Sequence, residues 1–360
     1  MNSLLQKALQ GTYLLSRDER IKLLLLDDPA ELFAAAYRVK QRWTGRSVSL
    51  RGLIELGNDC AKNCFYCGIR RDNSKVQRYR IAEADAVRMA RWSYERGYGS
   101  VVLQSGELES EENTSYIERI IRNINDFAGK ELGITLCLGE QTESVYQRWQ
   151  EAGAHRYLLR IETSNPELYA KIHPAGHSFE RRVECLRTLK RLGFQTGSGV
   201  MIGLPGQTIE DLADDLEFFR TMDLDMIGMG PFLPHPETPL GKGIEFSSEF
   251  AAAQLKLGLQ MIAVARLYLH DVNIAATTAL QALDAQGREQ GLLAGANVLM
   301  PNVTDVQYRR NYQLYDNKPC LDENSEICRN CLNQRVLSIG EQINWGMRGD
   351  PPHFIRKGTR

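Results

Sequence analysis

Residues 48–67 read VSLRGLIELGNDCAKNCFYC. The first ten, 48–57, form a largely apolar run closed by Gly57, the pattern of a strand buried on both faces. Cys60, Cys64 and Cys67 follow at once, so three thiols lie on the loop at the C-terminal end of that strand. In a barrel of alternating strands and helices, this end carries the active site.

Seven further strand-like runs are expected at 99–105, 132–139, 155–162, 195–202, 224–230, 271–278 and 295–300. Amphipathic segments separate them. Val87, Ala90 and Tyr94 form one helical stripe, and Leu212, Leu216 and Phe219 form another behind a Thr208/Asp211 start signal. Gly193 suits the end of a helix carrying Val183, Leu186 and Leu189. Such alternation implies parallel βα units closing into an α/β, TIM-type (β/α)8 barrel. Before it, two helices open with capping boxes, Ser16 with Glu19 and Asp28 with Glu31, Pro29 taking the first helical position of the second. The expected organisation is an N-terminal helical extension (1–45), a barrel (46–300) and a C-terminal cysteine-containing segment (301–360).

Composition narrows the function classes. Of 360 residues, 43% are apolar and 25% charged, and the net charge of -1 argues against disorder and against a nucleic-acid surface. The longest purely apolar stretches, Leu23–Leu26 and Leu32–Tyr37, fall short of the roughly 20 residues of a membrane span. No signal-peptide pattern opens the chain, so a cytoplasmic protein without membrane or nucleic-acid partners is expected. Six of the eight cysteines fall into two tight groups, which favours metal ligation over cross-linking, and Cys137 and Cys185 are expected to be buried thiols.

Three thiolates leave one iron of a four-iron cubane without a protein ligand, free to bind a small molecule. A structural zinc ion is the alternative; it wants a fourth Cys or His, and the nearest histidine in sequence is His155. Polar residues at other strand ends bear on the choice. Leu158, Arg160 and Glu162 share one face of their strand while Tyr157, Leu159 and Ile161 share the other. The apolar set should meet the surrounding helices, which turns Arg160 and Glu162 inward, as ligand-binding groups or as an internal ion pair. Gln104-Ser105-Gly106-Glu107 follows the second strand, and the glycine permits close backbone approach. Arg181 falls in the first turn of a helix beginning near Ser178, a poor place for a cation unless it meets an anion or is simply solvated. Thr277, Thr278 and Met300 are expected at the ends of the seventh and eighth strands, rimming the same mouth, and His173, His177 and His235 are assigned no role.

The C-x3-C-x2-C spacing with an aromatic before the last Cys resembles the signature of radical S-adenosylmethionine (SAM) enzymes. The resemblance implies a 4Fe-4S cluster on Cys60, Cys64 and Cys67 whose open iron chelates SAM, and one-electron cleavage to methionine and a 5'-deoxyadenosyl radical inside a dry cavity. It implies SAM contacts from Tyr66, Gln104, Ser105, Glu162, Arg181 and Met300, with an adenine-side wall at Val200–Gly206, and substrate contacts from Arg160, Thr277 and Thr278.

A closer likeness runs through Gly52-Leu-Ile-Glu55, Gly203-Leu-Pro-Gly-Gln-Thr208, Gly230-Pro-Phe-Leu-Pro-His-Pro236, Ala276-Thr-Thr278 and Gly295-Ala-Asn-Val-Leu-Met-Pro301. Together these resemble the HydE-type iron-iron hydrogenase maturases, which are similar to biotin synthase in fold. That implies a part in assembling the hydrogenase cofactor, and a small-molecule or organometallic substrate: an iron complex with carbonyl, cyanide and cysteine ligands, attacked at sulfur. It also implies an electron donor such as a ferredoxin or flavodoxin, and other hydrogenase maturation proteins as partners. Cys320, Cys328 and Cys331, spaced C-x7-C-x2-C, are similar to an auxiliary cluster site, 2Fe-2S or 4Fe-4S, with a small zinc knot as the alternative. Methylornithine synthase has a similar barrel and acts on lysine. Biotin synthase needs a second cluster inside the barrel, for which Cys137 alone is placed. A non-catalytic iron-sulfur carrier would use the cysteines but not Arg160, Glu162 or the Gln104 segment.

Overall fold

A computed structural model describes residues 3–11, 13–316, 318–322 and 325–358. The strands, in chain order, are β1 (Ser47–Leu50), β2 (Gly52–Gly57), β3 (Ser100–Ser105), β4 (Gly133–Cys137), β5 (Arg156–Leu158) and β6 (Gln195–Ser198). They continue with β7 (Met201–Ile202), β8 (Met226–Ile227), β9 (Gly230–Pro231), β10 (Asn273–Ile274), β11 (Val298–Leu299) and β12 (Gln342–Ile343). Seven form one parallel sheet in the order β10-β8-β6-β5-β4-β3-β2. Parallel pairing of β1 with β11, a bridge from Leu53 to Asn302 and another from Ala275 to Val298 close it, so the eight expected runs make a closed barrel.

Strand parity follows the expectation. Tyr157, Leu159 and Ile161 join the main hydrophobic core with Leu186, Leu189, Leu212, Leu216 and Phe219 of the covering helices. The helices start and stop where local chemistry says they should: Ser16 and Thr208 each make a reciprocal capping box, and Gly193, at φ +84°, follows the helix Phe179–Arg191.

Several boundaries differ from the sequence reading. The extension holds three helices, Ser3–Leu9, Arg17–Leu24 and Ala30–Thr44; the first is short and was not expected. The third begins at Ala30 with Pro29 at the cap, and Asp28 Oδ1 accepts from Ala30 N at 3.0 Å. On the helix Glu83–Glu95 the buried stripe is Ala86, Met89, Ala90 and Ser93, with Val87 and Tyr94 at its margins. Strand β10 stops at Ile274, and Thr277 is the N-cap of a short helix, Thr278–Leu283, rather than the end of a strand. The Thr277 hydroxyl makes no cap bond; the strand ends early because its ladder with β8 covers only Asn273 with Met226 and Ile274 with Ile227.

The helix Ser248–Leu269 has the 22-residue length and the apolar composition of a membrane span. It is buried continuously from Gly258 to Tyr268 and packs on Ala30–Thr44, and a helix enclosed on all sides is expected to be apolar all round. Beyond the barrel, β12 pairs in parallel with β1, and Lys40 makes a 2.6 Å ion pair with Glu341, both 0% exposed. The tail then crosses the N-terminal end of the barrel. A Cβ on Gly99 would lie 1.8 Å from Met347 O, and Asn273 Nδ2 donates to Gly349 O at 2.8 Å. Arg156 donates to Arg348 O at 2.6 Å and pairs with Asp350.

Candidate active site at the C-terminal mouth of the barrel

The cysteine loop leaves β2 at a register shift between Glu55 and Gly57 and is tied down on all sides. Asn58 accepts from Tyr79 N at 2.8 Å and donates to Gln77 O and Asn311 O at 2.9 and 2.6 Å. The Arg78 guanidinium donates to the carbonyls of Asn58, Ile69 and Arg70 at 2.5, 2.8 and 2.7 Å. Gly106, after β3, is the close-approach position: a Cβ there would sit 2.1 Å from Asp59 O and 2.9 Å from Cys60 Cβ. The two loops lock together through Ala61 N to Glu107 O at 2.8 Å and Glu107 N to Cys60 Sγ at 3.3 Å.

Cys60, Cys64 and Cys67 are all free thiols. Burial raises each, Cys64 to about 12, so they hold their protons near neutral pH until a metal displaces them. Three cysteines on one short, rigid loop fit a cluster with one iron left open. Histidines do stand nearby, which the sequence distance to His155 concealed. His177 Nδ1 lies 3.8 Å from Cys64 Sγ, and Tyr66 Oη lies 3.2 Å from His173 Nε2. His155 sits at the opposite end of the barrel, 3.8 Å from Asp350. Burial holds His173 and His177 low, at about 3 and 4, so both are neutral.

A charge network clasps the loop from below. Lys62 pairs with Glu107 at 3.0 Å and Glu140 at 3.1 Å; Arg182 reaches Glu140 at 2.7 Å; and Arg181 reaches Glu140 at 3.3 Å and Glu109 at 2.8 Å. Burial pushes Glu107 up, whereas at Glu140 the same push is outweighed by Arg182 and Lys62, and its pKa falls. Arg181 thus meets anions in its own protein. Lys62, Glu140 and Arg182 escaped the sequence reading although each lies next to a residue or motif it singled out.

Arg160 and Glu162 face the barrel interior and meet each other. Arg160 Nε and Nη2 donate to the Glu162 carboxylate at 2.8 to 3.1 Å, so the ion-pair alternative describes the side chains as they stand. Glu162 is held at φ +66°, a left-handed conformation that costs a non-glycine residue about 1 kcal/mol or more. Two main-chain bonds hold it there, Glu162 N to Gly199 O and Met201 N to Glu162 O, both 3.0 Å, and, two residues on, Ser164 N donates to Asp215 Oδ1 at 2.6 Å.

The mouth is crossed by the chain just after the barrel. Tyr312 Oη accepts from Gln104 Nε2 at 3.2 Å, Gly68 N donates to Leu314 O at 2.9 Å, and Lys318 pairs with the buried carboxylate of Glu55. Ser105 turns its hydroxyl onto Gly106 O at 2.7 Å. Thr277 Oγ1 is buried without a hydrogen-bond partner among the described residues, and a Cβ on Gly230 would lie 2.6 Å from it. Met300 packs on the small cluster Met226, Ala275 and Val298. Cys185 is buried, as expected, whereas Cys137, at the end of β4, is only half-buried because it faces the barrel mouth.

Of the second cysteine group, Cys328 and Cys331 lie on the helix Ser325–Ser338, and Cys320 sits before it at φ +61°. The Cys320 thiol and burial both raise Cys328. A tetrahedral zinc ion with bonds of about 2.3 Å would hold its thiolates within roughly 4 Å of one another. The Cys320 and Cys328 thiols meet each other, and among the described residues Cys331 is not gathered with them within 4.8 Å.

A radical SAM superfamily model matches residues 54–219, from within β2 through the cysteine loop and Arg160–Glu162 into the helix Ile209–Thr221. The [FeFe] hydrogenase maturase subunit HydE of Thermotoga maritima is 44% identical over 320 residues, 88% of each chain. The chain belongs to the HydE family of radical SAM enzymes. Membership implies a 4Fe-4S cluster and SAM. The 3-methylornithine synthase of Methanosarcina acetivorans is more distant, 27% identical over 317 residues and 85% of each chain. The crystal structure of methylornithine synthase superposes with a TM-score of 0.80 at 25% identity, covering 96% of this chain and 98% of that one.

Proposed function

We propose that the three thiols Cys60, Cys64 and Cys67 hold the 4Fe-4S cluster and that the enzyme works in assembling the active-site cofactor of [FeFe] hydrogenase. The observation that carries this is the identity to the Thermotoga maritima maturase, 44% across 88% of both chains, joined to a free three-thiol loop at the barrel mouth. When bound on these thiols, the cluster would supply the electron for reductive cleavage of SAM.

The chain's own part is to bind, orient and exclude. Gln104 and Ser105, beside the cysteine loop, are suited to the methionine end of SAM. Tyr66, Glu162, Arg181 and Met300 are read as further SAM contacts. For Glu162 this asks that the carboxylate be shared with Arg160, and for Arg181 that it turn from Glu109. Arg160 is read as the cation for the anionic end of an organometallic substrate, with Thr277 and Thr278 as hydroxyl donors; the unpartnered Thr277 Oγ1 supports this. Asn311, Tyr312 and Lys318 lie over the mouth, where they would help keep water from a reactive carbon radical. Within the segment 301–360, Cys320, Cys328 and Cys331 are read as a second, auxiliary cluster site. A ferredoxin or flavodoxin as electron donor, other maturation proteins as partners, and a cytoplasmic setting complete the reading.

The test is anaerobic reconstitution with iron and sulfide, then reductant and SAM. Production of 5'-deoxyadenosine that rises with an iron carbonyl–cyanide–cysteine complex, and not with lysine, is the expected result. Stimulation by lysine instead would move the chain to the methylornithine reaction, and no 5'-deoxyadenosine at all would remove the proposal.

A further inference from the structure

Cys64, His173 and His177 offer one sulfur and two ring nitrogens, all within 4.8 Å of one another. Cys64 is distant in the chain from the two histidines, which lie four residues apart; the trio comes from two loops, the cysteine loop and the segment between the helices Pro166–Ile172 and Phe179–Arg191. We infer that these three residues form a mononuclear site for a divalent transition-metal ion in the cluster-free chain. The inference stands on the trio's geometry and does not depend on the substrate or the SAM contacts proposed above.

The surroundings are those of a metal site. His173 Nδ1 faces Tyr169 O at 2.9 Å, so its N–H is committed to a carbonyl and the lone pair is left on Nε2. This is the outer-shell arrangement that orients metal-binding histidines. The Tyr66 hydroxyl, 3.2 Å from that Nε2, is the group a cation would displace. His177 presents Nδ1 to Cys64 Sγ at 3.8 Å, and is half-exposed, which supplies the way in. Its Nε2 has only a long 3.5 Å contact from Asn63 N, so moving the ring proton from Nδ1 to Nε2 sacrifices little. A thiolate with two imidazoles and no carboxylate selects zinc, cobalt(II) or iron(II) and rejects magnesium and calcium. Binding forms one metal–sulfur and two metal–nitrogen bonds and releases the Cys64 thiol proton to solvent; nothing is oxidised or reduced.

The consequence is competition. The proposed cluster and the single ion both require Cys64, so the ion must leave before the cluster is built. Iron(II) held there would be displaced or incorporated readily, whereas zinc would obstruct assembly.

Cobalt(II) is the probe, added anaerobically to the full apo-chain carrying Cys320→Ser, Cys328→Ser and Cys331→Ser, so that the post-barrel thiols are silent. One equivalent should bind with thiolate-to-cobalt charge-transfer absorption. Cys64→Ala should abolish the band, His177→Ala should weaken binding by about tenfold or more, and the double variant Cys60→Ser/Cys67→Ser should keep it. In the otherwise native chain, zinc should slow iron-sulfur reconstitution, and His177→Gln should relieve that inhibition. Failure to bind one equivalent overturns the inference. So does a band that survives His177→Ala at full affinity, or one that is lost in Cys60→Ser/Cys67→Ser while circular dichroism shows a folded chain, since that metal would sit on the three thiols.

Discussion

The two ends of the barrel are both rich in buried charge, and they use it differently. At the floor, Arg156, only 2% exposed, donates to Gln195 Oε1 at 3.0 Å, Ser100 Oγ at 2.8 Å and Arg348 O at 2.6 Å, and pairs with Asp350 of the tail. Its partners are main chain and neighbouring side chains, which leaves nothing for a ligand. At the mouth, the charges clamp a loop of free thiols, Glu162 is strained, and Thr277 Oγ1 has no partner among the described residues. The floor also holds buried polar atoms without a partner among the described residues, Arg51 Nε and Nη2 and Thr135 Oγ1. Neither burial nor a missing partner therefore marks function by itself; what sets the mouth apart is the group of free thiols gathered there with them.

The sharpest way to break this contrast is to exchange the symptoms. Replacing Cys60, Cys64 or Cys67 by Ala should reduce 5'-deoxyadenosine formation to background while the thermal midpoint of the apo-chain shifts little. A variant that still cleaves SAM would remove the mouth's special status. Arg160→Lys keeps the charge but loses the two-pronged contact, and should lower substrate-dependent turnover by roughly 10- to 100-fold. Because Arg160 grips Glu162, a smaller loss of SAM affinity should accompany it, measurable by calorimetry with the unreduced enzyme.

The floor should answer in the opposite currency. Arg156→Met removes the nearer of the two arginines beside Asp350, leaving Arg348 at 3.9 Å, and should cost about 3 kcal/mol in denaturant unfolding, with SAM cleavage per folded molecule unchanged. A pH series sharpens this. Burial pushes Asp350 up, but Arg156, Gln195 and Arg348 outweigh it and bring it down to about 2. Since its folded value is below the unfolded value of about 3.9, its contribution is full above pH 4 and is lost as pH falls through about 2. The stability gap between the parent and Asp350→Asn should therefore narrow over that window and stay constant from pH 5 to 7. The smallest expected effect on catalysis is at the post-barrel group: Cys320→Ser with Cys328→Ser and Cys331→Ser should lower bound iron yet retain SAM cleavage.

The contrast also explains what could be read from the chain. The cysteine loop was legible because its chemistry is local, three thiols within eight residues directly after an apolar run. The inward face of Arg160 and Glu162 was legible because strand parity is a period of two. Their pairing was foreseen only as an alternative, since whether two inward ions meet depends on the left-handed turn at Glu162. The second helix start falls one residue later than its signal, and Thr277 lies past the strand end because the length of the ladder with β8 is not written in the local sequence. His177 could not be placed at all: it stands 113 residues from Cys64 and reaches it only through the barrel's closure. The floor's tail was equally hidden, because β12 is two residues long and its pairing with β1 spans nearly the whole chain.

The most direct test of the central claim is the electron paramagnetic resonance spectrum of the reduced, reconstituted enzyme before and after SAM is added, recorded in chains lacking Cys320, Cys328 and Cys331. The account predicts a single reduced 4Fe-4S signal whose shape changes on SAM binding and which Cys64→Ala removes. A cluster signal indifferent to SAM, or one that persists in Cys64→Ala, would contradict it.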